Sequence, residues 1–252
     1  MGKYKKWAVG ISISIMAAVA AGLAITGWQT GWGPFHRLFK GFEDEVAAIE
    51  EKYNVQERQH EIIFYGASNF RLWKQMEEDL YEYKVQNHGF GGSTDAMLME
   101  YADRILYPYQ PNIVFFQTGS NDYINMRGSD EEKISSCMAY KEQMFMEFHQ
   151  ELPQAKFVVM SGLLLPGRSQ YANLTQCVNS ELQKLCEKYD YLYFVDASSL
   201  TFSEGKYLEE LFVSDGIHLN NEGQLLWCEN YIRPQIETMV KAFGLENLKR
   251  QK

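Results

Sequence analysis

Residues 61–70, EIIFYGASNF, are a short apolar run of β-type side chains that ends at a glycine and then turns polar. A run of this kind, bounded by a turn signal, is typical of a buried strand. Four similar runs follow it: YKVQNHG at 83, NIVFFQTG at 112, KFVVMSG at 156 and YLYFVD at 191. Helix-period segments lie near 70–82, 94–107, 131–151, 172–189 and 222–243. This alternation predicts an α/β fold, in which helices cover both faces of a five-stranded parallel sheet.

The N-terminus carries an export or membrane signal. Three lysines in the first six residues precede an uncharged apolar run over residues 7–28, which is long enough to span a bilayer as a helix. Basic residues before such a run place its N-terminus in the cytoplasm. We therefore predict a membrane anchor at residues 1–28, with the rest of the chain outside the cytoplasm. Secretion after cleavage is the alternative, because Ala18-Val19-Ala20 has the form of a signal-peptide cleavage site.

The pattern divides the rest of the chain into three parts. Residues 29–56 contain an amphipathic helix at 35–54 that connects the anchor to the first strand. Residues 57–245 form the α/β domain, and residues 246–252 are a short basic tail. The anchor holds three lysines and no acids, so the formal charge falls from −9 for the whole chain to −12 for the remainder. Such a charge disfavours nucleic acid as a partner.

The number and spacing of the cysteines and histidines argue against a disulfide scaffold and against a metal site. Four cysteines are too few for a disulfide scaffold of this length. Cys177 and Cys186 share a predicted helix and lie on opposite faces, roughly 13 Å apart along its axis, so they should not pair, although other pairings stay open. The five histidines lack metal-binding spacings such as H-E-x-x-H, and we expect no metal and no cofactor. His88, in a turn after a strand, is expected to be structural, with pocket lining as the alternative.

Polar groups follow three of the predicted strands, where ligands of open parallel sheets bind. Ser68 begins a predicted helix, whose free N–H groups favour a developing negative charge, although helix capping is the commoner use of such a serine. The second strand ends in GFGGST, which lacks full phosphate-loop spacing but lets Gly92 offer its N–H to an oxyanion. Asn121, after the third strand, either supplies a further amide donor or holds a turn.

The last polar segment is VSDGIHLNNEG at 213–223, where Asp215 precedes His218 by three residues. Alone, it is also compatible with a turn and a helix cap. A strand order 2-1-3-4-5 would put Ser68 between the glycine and asparagine segments, and the final loop would bring His218 to it. Asp215 would then orient the imidazole, as in a Ser-His-Asp triad. The combination, and not any single motif, points to a serine nucleophile.

These segments resemble the motif blocks of the SGNH (GDSL-like) hydrolases. GASN is similar to the serine block, NHGFGGST to the glycine block, GSND to the asparagine block and SDGIHLN to the Asp-x-x-His block, in the family's order across nearly all of residues 60–243. The resemblance implies a three-layer α/β/α flavodoxin-like sandwich. It also implies a serine esterase with Ser68 as nucleophile, His218 as general base and Asp215 as its orienting carboxylate.

The same resemblance implies an oxyanion hole formed by the Ser68 N–H, Gly92 and Asn121. Ala67 departs from the family's pattern, which often has Asp there, but that Asp is not part of the triad. The implied reaction is acyl transfer to water through an acyl-serine. Two alternatives remain, namely an O-acyltransferase with the same triad and a catalytically silent binding domain of the same fold.

Aromatic side chains lie close to these motifs. Phe70 and Trp73 follow the serine and Tyr123 follows the asparagine, so we expect them to contact substrate, with packing in the core as the competing interpretation. Short acyl esters, including O-acetyl groups of cell-surface carbohydrate, and lysolipids are both compatible with a tethered site that faces outward. The predicted partners are therefore an ester of a small molecule, glycan or lipid, and the membrane itself.

Overall fold

The computed structural model describes residues 42–250. Internal contacts divide the chain into two units, Met1–Asp44 and Glu45–Lys252, and the fold below belongs to the second. The predicted anchor at 1–28 and residues 29–41 of the connecting segment lie outside the described residues. Within the described part of the chain, no helix is long and apolar enough to cross a membrane.

Five parallel strands form the central sheet. They are β1 (Ile62–Gly66), β2 (Val85–Asn87), β3 (Ile113–Gln117), β4 (Lys156–Met160) and β5 (Leu192–Val195). Their order is β2-β1-β3-β4-β5, and the register aligns Phe64 of β1 with Phe115 of β3 and Phe115 with Val158 of β4. Every residue of β1 and β3 is buried, as continuous apolar strands covered on both faces require. The predicted α/β fold and its five-stranded parallel sheet are confirmed.

Helices flank the sheet. Those of the described residues are α1 (Glu43–Lys52), α2 (Ser68–Arg71), α3 (Met76–Asp79), α4 (Asp95–Ile105), α5 (Asp130–Glu151), α6 (Ala172–Glu187), α7 (Asn221–Trp227) and α8 (Arg233–Phe243). The start of α5 is set by a capping box, in which the Ser129 hydroxyl accepts from the Glu132 N–H and the Glu132 carboxylate accepts from the Ser129 N–H. Such caps satisfy the free N–H groups of a first turn.

Two predicted helices are broken in the structure. The segment near 70–82 forms the short helices α2 and α3, and the Trp73 indole between them donates to Asp79 at 2.6 Å. The segment near 222–243 contains a π-helical turn, Cys228–Ile232, between α7 and α8. Pro234 follows that turn, and because proline has no N–H and crowds the carbonyl four residues earlier, it cannot continue a regular α-helix there.

One core lies between the sheet and the helices α2, α3, α7 and α8. Phe64 stacks on Phe115 with ring centroids 4.8 Å apart, and Phe70 of α2 stacks on Trp227 of α7 at 5.4 Å. Burying each such side chain contributes about 1.5–3 kcal/mol, which fixes α2 and α7 against the sheet. All four cysteines are free thiols, so no disulfide contributes.

Two irregular segments reach the carboxyl ends of the strands. The 3₁₀ turn Pro166–Tyr171 follows β4. The segment after β5 contains a small hairpin, β6 (Phe202–Ser203) with β7 (Lys206–Tyr207), and two further 3₁₀ turns, Ser198–Leu200 and Glu209–Leu211. Because the strands are parallel, these segments and the turns after β1, β2 and β3 meet at one edge of the sheet.

Candidate active site

Ser68 follows strand β1, which lies between β2 and β3 in the sheet, and is the first residue of α2. The Ala67 N–H donates to the Gln117 carbonyl oxygen at 3.1 Å, which extends the pairing of β1 and β3 up to the serine. The Ser68 side chain is half-buried. Its backbone N–H makes no hydrogen bond within residues 42–250, as expected for the first residue of a helix. The turn therefore presents a hydroxyl and a free N–H at one place.

The final loop brings His218 and Asp215 to this serine. His218 Nε2 lies 2.8 Å from Ser68 Oγ, and His218 Nδ1 lies 2.7 Å from Asp215 Oδ2. A carboxylate only accepts hydrogen bonds, so Nδ1 carries the proton and Nε2 is left to accept from the serine hydroxyl. Ser68 and His218 are 150 positions apart in the sequence, and the parallel sheet brings them together. This is the hydrogen-bonding arrangement of a Ser-His-Asp triad.

The position of Asp215 is set within its own loop. Its Oδ1 accepts from the N–H groups of Ile217 at 2.7 Å and His218 at 3.0 Å. Burial opposes the charged carboxylate, but these bonds, together with the bond to the His218 ring, outweigh it and lower the pKa of Asp215. An antiparallel bridge between Phe212 and Leu219 closes the loop. The carboxylate therefore stays ionised beside the imidazole.

The glycine segment after β2 lies against the serine turn. A β-carbon at position 89 would lie 2.6 Å from the Arg71 backbone nitrogen, so only glycine allows this close approach. Gly92 has a φ of +79°, a left-handed conformation that glycine adopts without strain. It is exposed, and its N–H makes no hydrogen bond within the described residues. Gly92 therefore offers a second free backbone donor near the serine turn.

Asn121 follows β3 on the other side of Ser68. Its side-chain Nδ2 donates to the Ser93 carbonyl oxygen at 3.2 Å, and its Oδ1 accepts from Arg168 Nη1 at 3.0 Å. One of the two amide N–H bonds is used by Ser93, which leaves the other for a ligand in the cleft. The segments that carry Gly92 and Asn121 thus follow the two strands on either side of β1, and of these two residues Asn121 but not Gly92 lines the cleft at Ser68.

A buried charged cluster lies behind Asn121. Lys141 Nζ donates to Asp95 Oδ2 at 2.7 Å and to Thr118 Oγ1 at 2.6 Å. Asp122 Oδ1 accepts from the Asp95 N–H at 2.9 Å, while its Oδ2 is buried and has no hydrogen-bond partner among the described residues. Burial first, and then the Asp95 carboxylate, raise the pKa of Asp122 to about 7, against the opposing charge of Lys141. Asp122 thus ties the asparagine loop to the start of α4.

A cleft of about 380 Å³, including its opening, lies at Ser68 and Asn121. The loops after β3, β4 and β5 supply seven further residues of its wall, namely Gly119, Ser120, Gly162, Leu163, Leu165, Arg168 and Ile217, and Ala67, Asn69 and Gln117 complete it. The sequence motifs do not assign these residues a role, and no motif marks Arg168 within the irregular stretch 163–171.

The predicted substrate contacts of Phe70, Trp73 and Tyr123 require correction. Their exposed fractions are 0, 1 and 2%, and none of them lines the cleft at Ser68. Phe70 and Trp73 pack in the core between the sheet and α7, and the Tyr123 hydroxyl shares a hydrogen bond with Thr175 Oγ1 at 2.6 Å in another apolar cluster. Removing the apolar area of these side chains from water is favourable. Core packing, the competing interpretation, therefore describes all three residues.

His88 is also a core residue. It is fully buried, its Nε2 lies 3.1 Å from Gln86 Oε1 and its Nδ1 contacts the Ile105 carbonyl oxygen. Burial lowers the pKa of His88 to about 3, so the ring is neutral at ordinary pH. In the described part of the chain, no three His, Cys, Asp or Glu side chains are grouped so as to hold a metal ion.

An α/β/α fold with a Ser-His-Asp arrangement at the strand ends defines a class of serine hydrolases. The family model for GDSL-like lipases and acylhydrolases matches residues 57–226, and the chain belongs to this family. No curated protein matches the sequence. The family's activity implies an ester substrate.

Solved structures share the fold at low sequence identity. A candidate platelet activating factor protein from Streptococcus pneumoniae is 19% identical with a TM-score of 0.65, and the match covers 90% of this chain and 98% of that one. A GDSL-like lipase from Bacteroides thetaiotaomicron is 19% identical with a TM-score of 0.55 and coverages of 79% and 97%. The lipase/acylhydrolase of Enterococcus faecalis is 14% identical with a TM-score of 0.52 and coverages of 77% and 99%.

Proposed function

We propose that this protein is a serine esterase that cleaves carboxylic esters through an acyl-serine intermediate. The observation that carries the proposal is the hydrogen-bonded chain from Ser68 Oγ through the His218 imidazole to Asp215. A serine hydroxyl is a weak nucleophile on its own, and a neutral imidazole at 2.8 Å is placed to take its proton. Membership of the acylhydrolase family supports ester bonds as the target.

The steps follow from the geometry. His218 Nε2 takes the Ser68 proton as Oγ attacks the ester carbonyl, and the negative oxygen is stabilised by the N–H groups of Ser68 and Gly92 and the Asn121 amide. His218 then gives the proton to the leaving alcohol, which departs and leaves an acyl-serine. Water, deprotonated by the same imidazole, attacks the acyl carbonyl; the bond to Ser68 Oγ breaks, Oγ takes the proton back from His218, and the acid is released. Asp215 stabilises the imidazolium of His218 both while the acyl-serine forms and while water cleaves it.

The two sides of His218 suggest which ester is used. The alcohol receives its proton from His218, so it lies on the histidine side, where an open groove is lined by the polar side chains of Asn220, Asn221 and Glu222 and by the apolar side chains of Leu72, Val213 and Leu219. The acyl group lies on the other side, in the small cleft at Ser68. The small cleft favours a short acyl group, such as acetyl, over the long acyl chain of a lysolipid, and the O-acetyl groups of cell-surface carbohydrate are one class of substrate with such an acyl group.

The proposed location follows from the N-terminal segment. We propose that residues 1–28 anchor the protein and that the esterase domain acts outside the cytoplasm. Protease added to intact cells should remove the domain, whereas a domain inside the cytoplasm would be protected until lysis. A shortened chain in the culture medium would instead support secretion after cleavage.

A p-nitrophenyl ester series from acetyl to octanoyl tests the chemistry, using the full-length chain in detergent. The acetyl and butyryl esters should turn over fastest, and Ser68→Ala and His218→Ala should each reduce kcat to a residual level. Ser169→Ala, an exposed serine of another loop, is the matched control and should keep the parent rate. A parent chain inactive on every ester, or Ser68→Ala with the parent rate, would overturn the esterase proposal.

A further inference from the structure

Arg168 links the asparagine loop to the loop that carries the base. It lies in the turn after β4, and its half-buried guanidinium forms part of the cleft wall. Nη1 donates to Asn121 Oδ1 at 3.0 Å and to the Ser120 hydroxyl. The neighbouring Gly167 N–H donates to the Gly216 carbonyl oxygen at 2.9 Å, next to Asp215. A single segment therefore contacts both ends of the site.

Two contacts set the orientation of the Asn121 amide, one with Arg168 and one with Ser93. A guanidinium only donates hydrogen bonds, so the amide atom that faces it must be the oxygen. The Ser93 carbonyl only accepts, so the atom that faces it, at 3.2 Å, must be the nitrogen. These two contacts give the same orientation. An amide without Arg168 would keep only the Ser93 contact and would be freer to rotate its donor away from the cleft.

The charge of Arg168 acts in the same direction. Within residues 42–250 it pairs with no carboxylate, and the partners of Nη1 are the neutral groups of Ser120 and Asn121. A cation bound to the amide oxygen draws electron density from the amide and strengthens its N–H groups as donors, because hydrogen bonds in series polarise one another. An oxyanion that forms on the other side of the amide benefits from both effects.

We propose that Arg168 is a positioning residue, which holds and polarises the Asn121 amide so that its free N–H stabilises the oxyanion. The inference rests on the proposed esterase function, because it concerns the transition state of that reaction. Arg168 itself need not touch the substrate. Its effect should pass through Asn121 and should appear in kcat more than in KM.

A double-mutant cycle tests this path. Arg168→Met keeps the length of the side chain and removes its donors, and we expect kcat on p-nitrophenyl acetate to fall about 10- to 100-fold with KM within about twofold. In an Asn121→Ala background the same substitution should change kcat by less than about twofold, because the amide it positions is gone. Arg168→Lys, which keeps a charged donor, should recover part of the rate. Arg127→Met, at an exposed arginine, should match the parent.

The outcomes separate this inference from the esterase proposal. Loss of activity in Asn121→Ala together with full activity in Arg168→Met would leave the esterase intact and overturn the role of Arg168. An undiminished Arg168→Met effect in the Asn121→Ala background would also overturn it, as would a change in KM alone, which would indicate contact with substrate. If Arg168→Met does not fold, Arg168→Lys carries the same cycle, and additive effects there would contradict the proposal.

Discussion

The two ends of the site are built in different ways. At the base end, Asp215 and His218 lie three residues apart, and the loop's own N–H groups hold the carboxylate. At the oxyanion end, the Asn121 amide is held by Ser93, 28 residues earlier, and by Arg168, 47 residues later. The base end is therefore set by local sequence and the oxyanion end by the tertiary fold. Substitutions at the first should change chemistry alone, whereas those at the second should also report how the loops fit together.

The largest expected effect in this comparison comes from Asp215→Asn. The asparagine oxygen can still accept from Ile217 and His218 N–H groups, so the loop should keep its shape and the melting temperature should change little. The amide cannot stabilise the imidazolium and favours the wrong tautomer of His218, so kcat should fall about 10⁴-fold.

Steady-state rates and thermal melts of Asp215→Asn, beside the exposed control Glu210→Gln, measure both properties. A fall of the melting temperature as large as that of a core variant would contradict the view that the base loop is only locally constrained. A rate within tenfold of the parent would remove Asp215 from the triad.

Next in size is the oxyanion amide. Asn121→Ala should reduce kcat about 10²- to 10³-fold, since it removes one preorganised donor. Asn121→Asp is the sharper variant, because it keeps the size of the side chain and gives Arg168 a carboxylate to bind. We expect it to be at least as stable as Asn121→Ala and no more active, since a carboxylate repels the developing oxyanion. An Asn121→Asp variant with the parent rate would exclude an amide donor from the mechanism.

Disrupting the contact between the loops at the two ends of the site should reduce kcat by a smaller factor. A β-carbon at position 167 would lie 2.4 Å from the Asp215 carbonyl oxygen and 2.9 Å from an Ile217 side-chain carbon. Displacing backbone atoms is energetically costly, so Gly167→Ala should push the loop after β4 away from the loop that carries Asp215. Because displacements of about 1 Å can cost about 10²-fold in rate, we expect kcat to fall about 10- to 100-fold.

Gly167→Ala and Ser169→Ala, compared by rate and by proteolysis of the native protein, measure this coupling. Ser169 is exposed in the same turn, so its variant should match the parent in both assays. If Gly167→Ala also kept the parent rate, the loops would act independently, and the comparison of two linked ends would fail.

The sequence was sufficient to predict the parallel sheet and the two triad residues that the fold brings to Ser68. Apolar strand runs separated by helix-period segments predict a parallel sheet with helices on both faces. In the observed strand order, the segments that carry Gly92 and Asn121 follow the strands on either side of β1. Asp215 and His218 could be predicted from the sequence because they lie three residues apart in one loop. These are properties of local pattern and of topology.

Contacts between residues that are distant in the sequence could not be predicted in the same way. Arg168 reaches Asn121 only because the loops after β3 and β4 fold over the same strand ends, and no spacing in the sequence marks that contact. Phe70 and Trp73 follow the serine closely and yet face the core, because the chain turns between α2 and α3 and buries both against Trp227. Proximity in sequence to a motif is thus a poor guide to side-chain direction.

The smallest predicted effect concerns stability at the oxyanion end. The ordinary pKa of Asp122 is 3.8, and burial, together with the Asp95 carboxylate, raises it to about 7 in the folded protein. Between these values the folded chain holds a proton that the unfolded chain has lost, so the free energy of unfolding should fall as the pH rises from about 4 to about 7. Asp122→Asn removes this titration while its side-chain oxygen can still accept from the Asp95 N–H.

Thermal melts at pH 5 and pH 8 test the sign, with Asp190→Asn, at an exposed carboxylate, as the control. The melting temperature of Asp122→Asn, relative to the parent, should be higher at pH 8 than at pH 5, because at pH 8 the parent buries the charge beside Asp95. Lys141 offsets only part of that charge, since it is already paired with Asp95 and Thr118. Equal differences at the two pH values would mean that Asp122 does not titrate there. The oxyanion end would then be as insensitive to pH as the locally constrained carboxylate of Asp215, and the two ends would differ in connectivity alone.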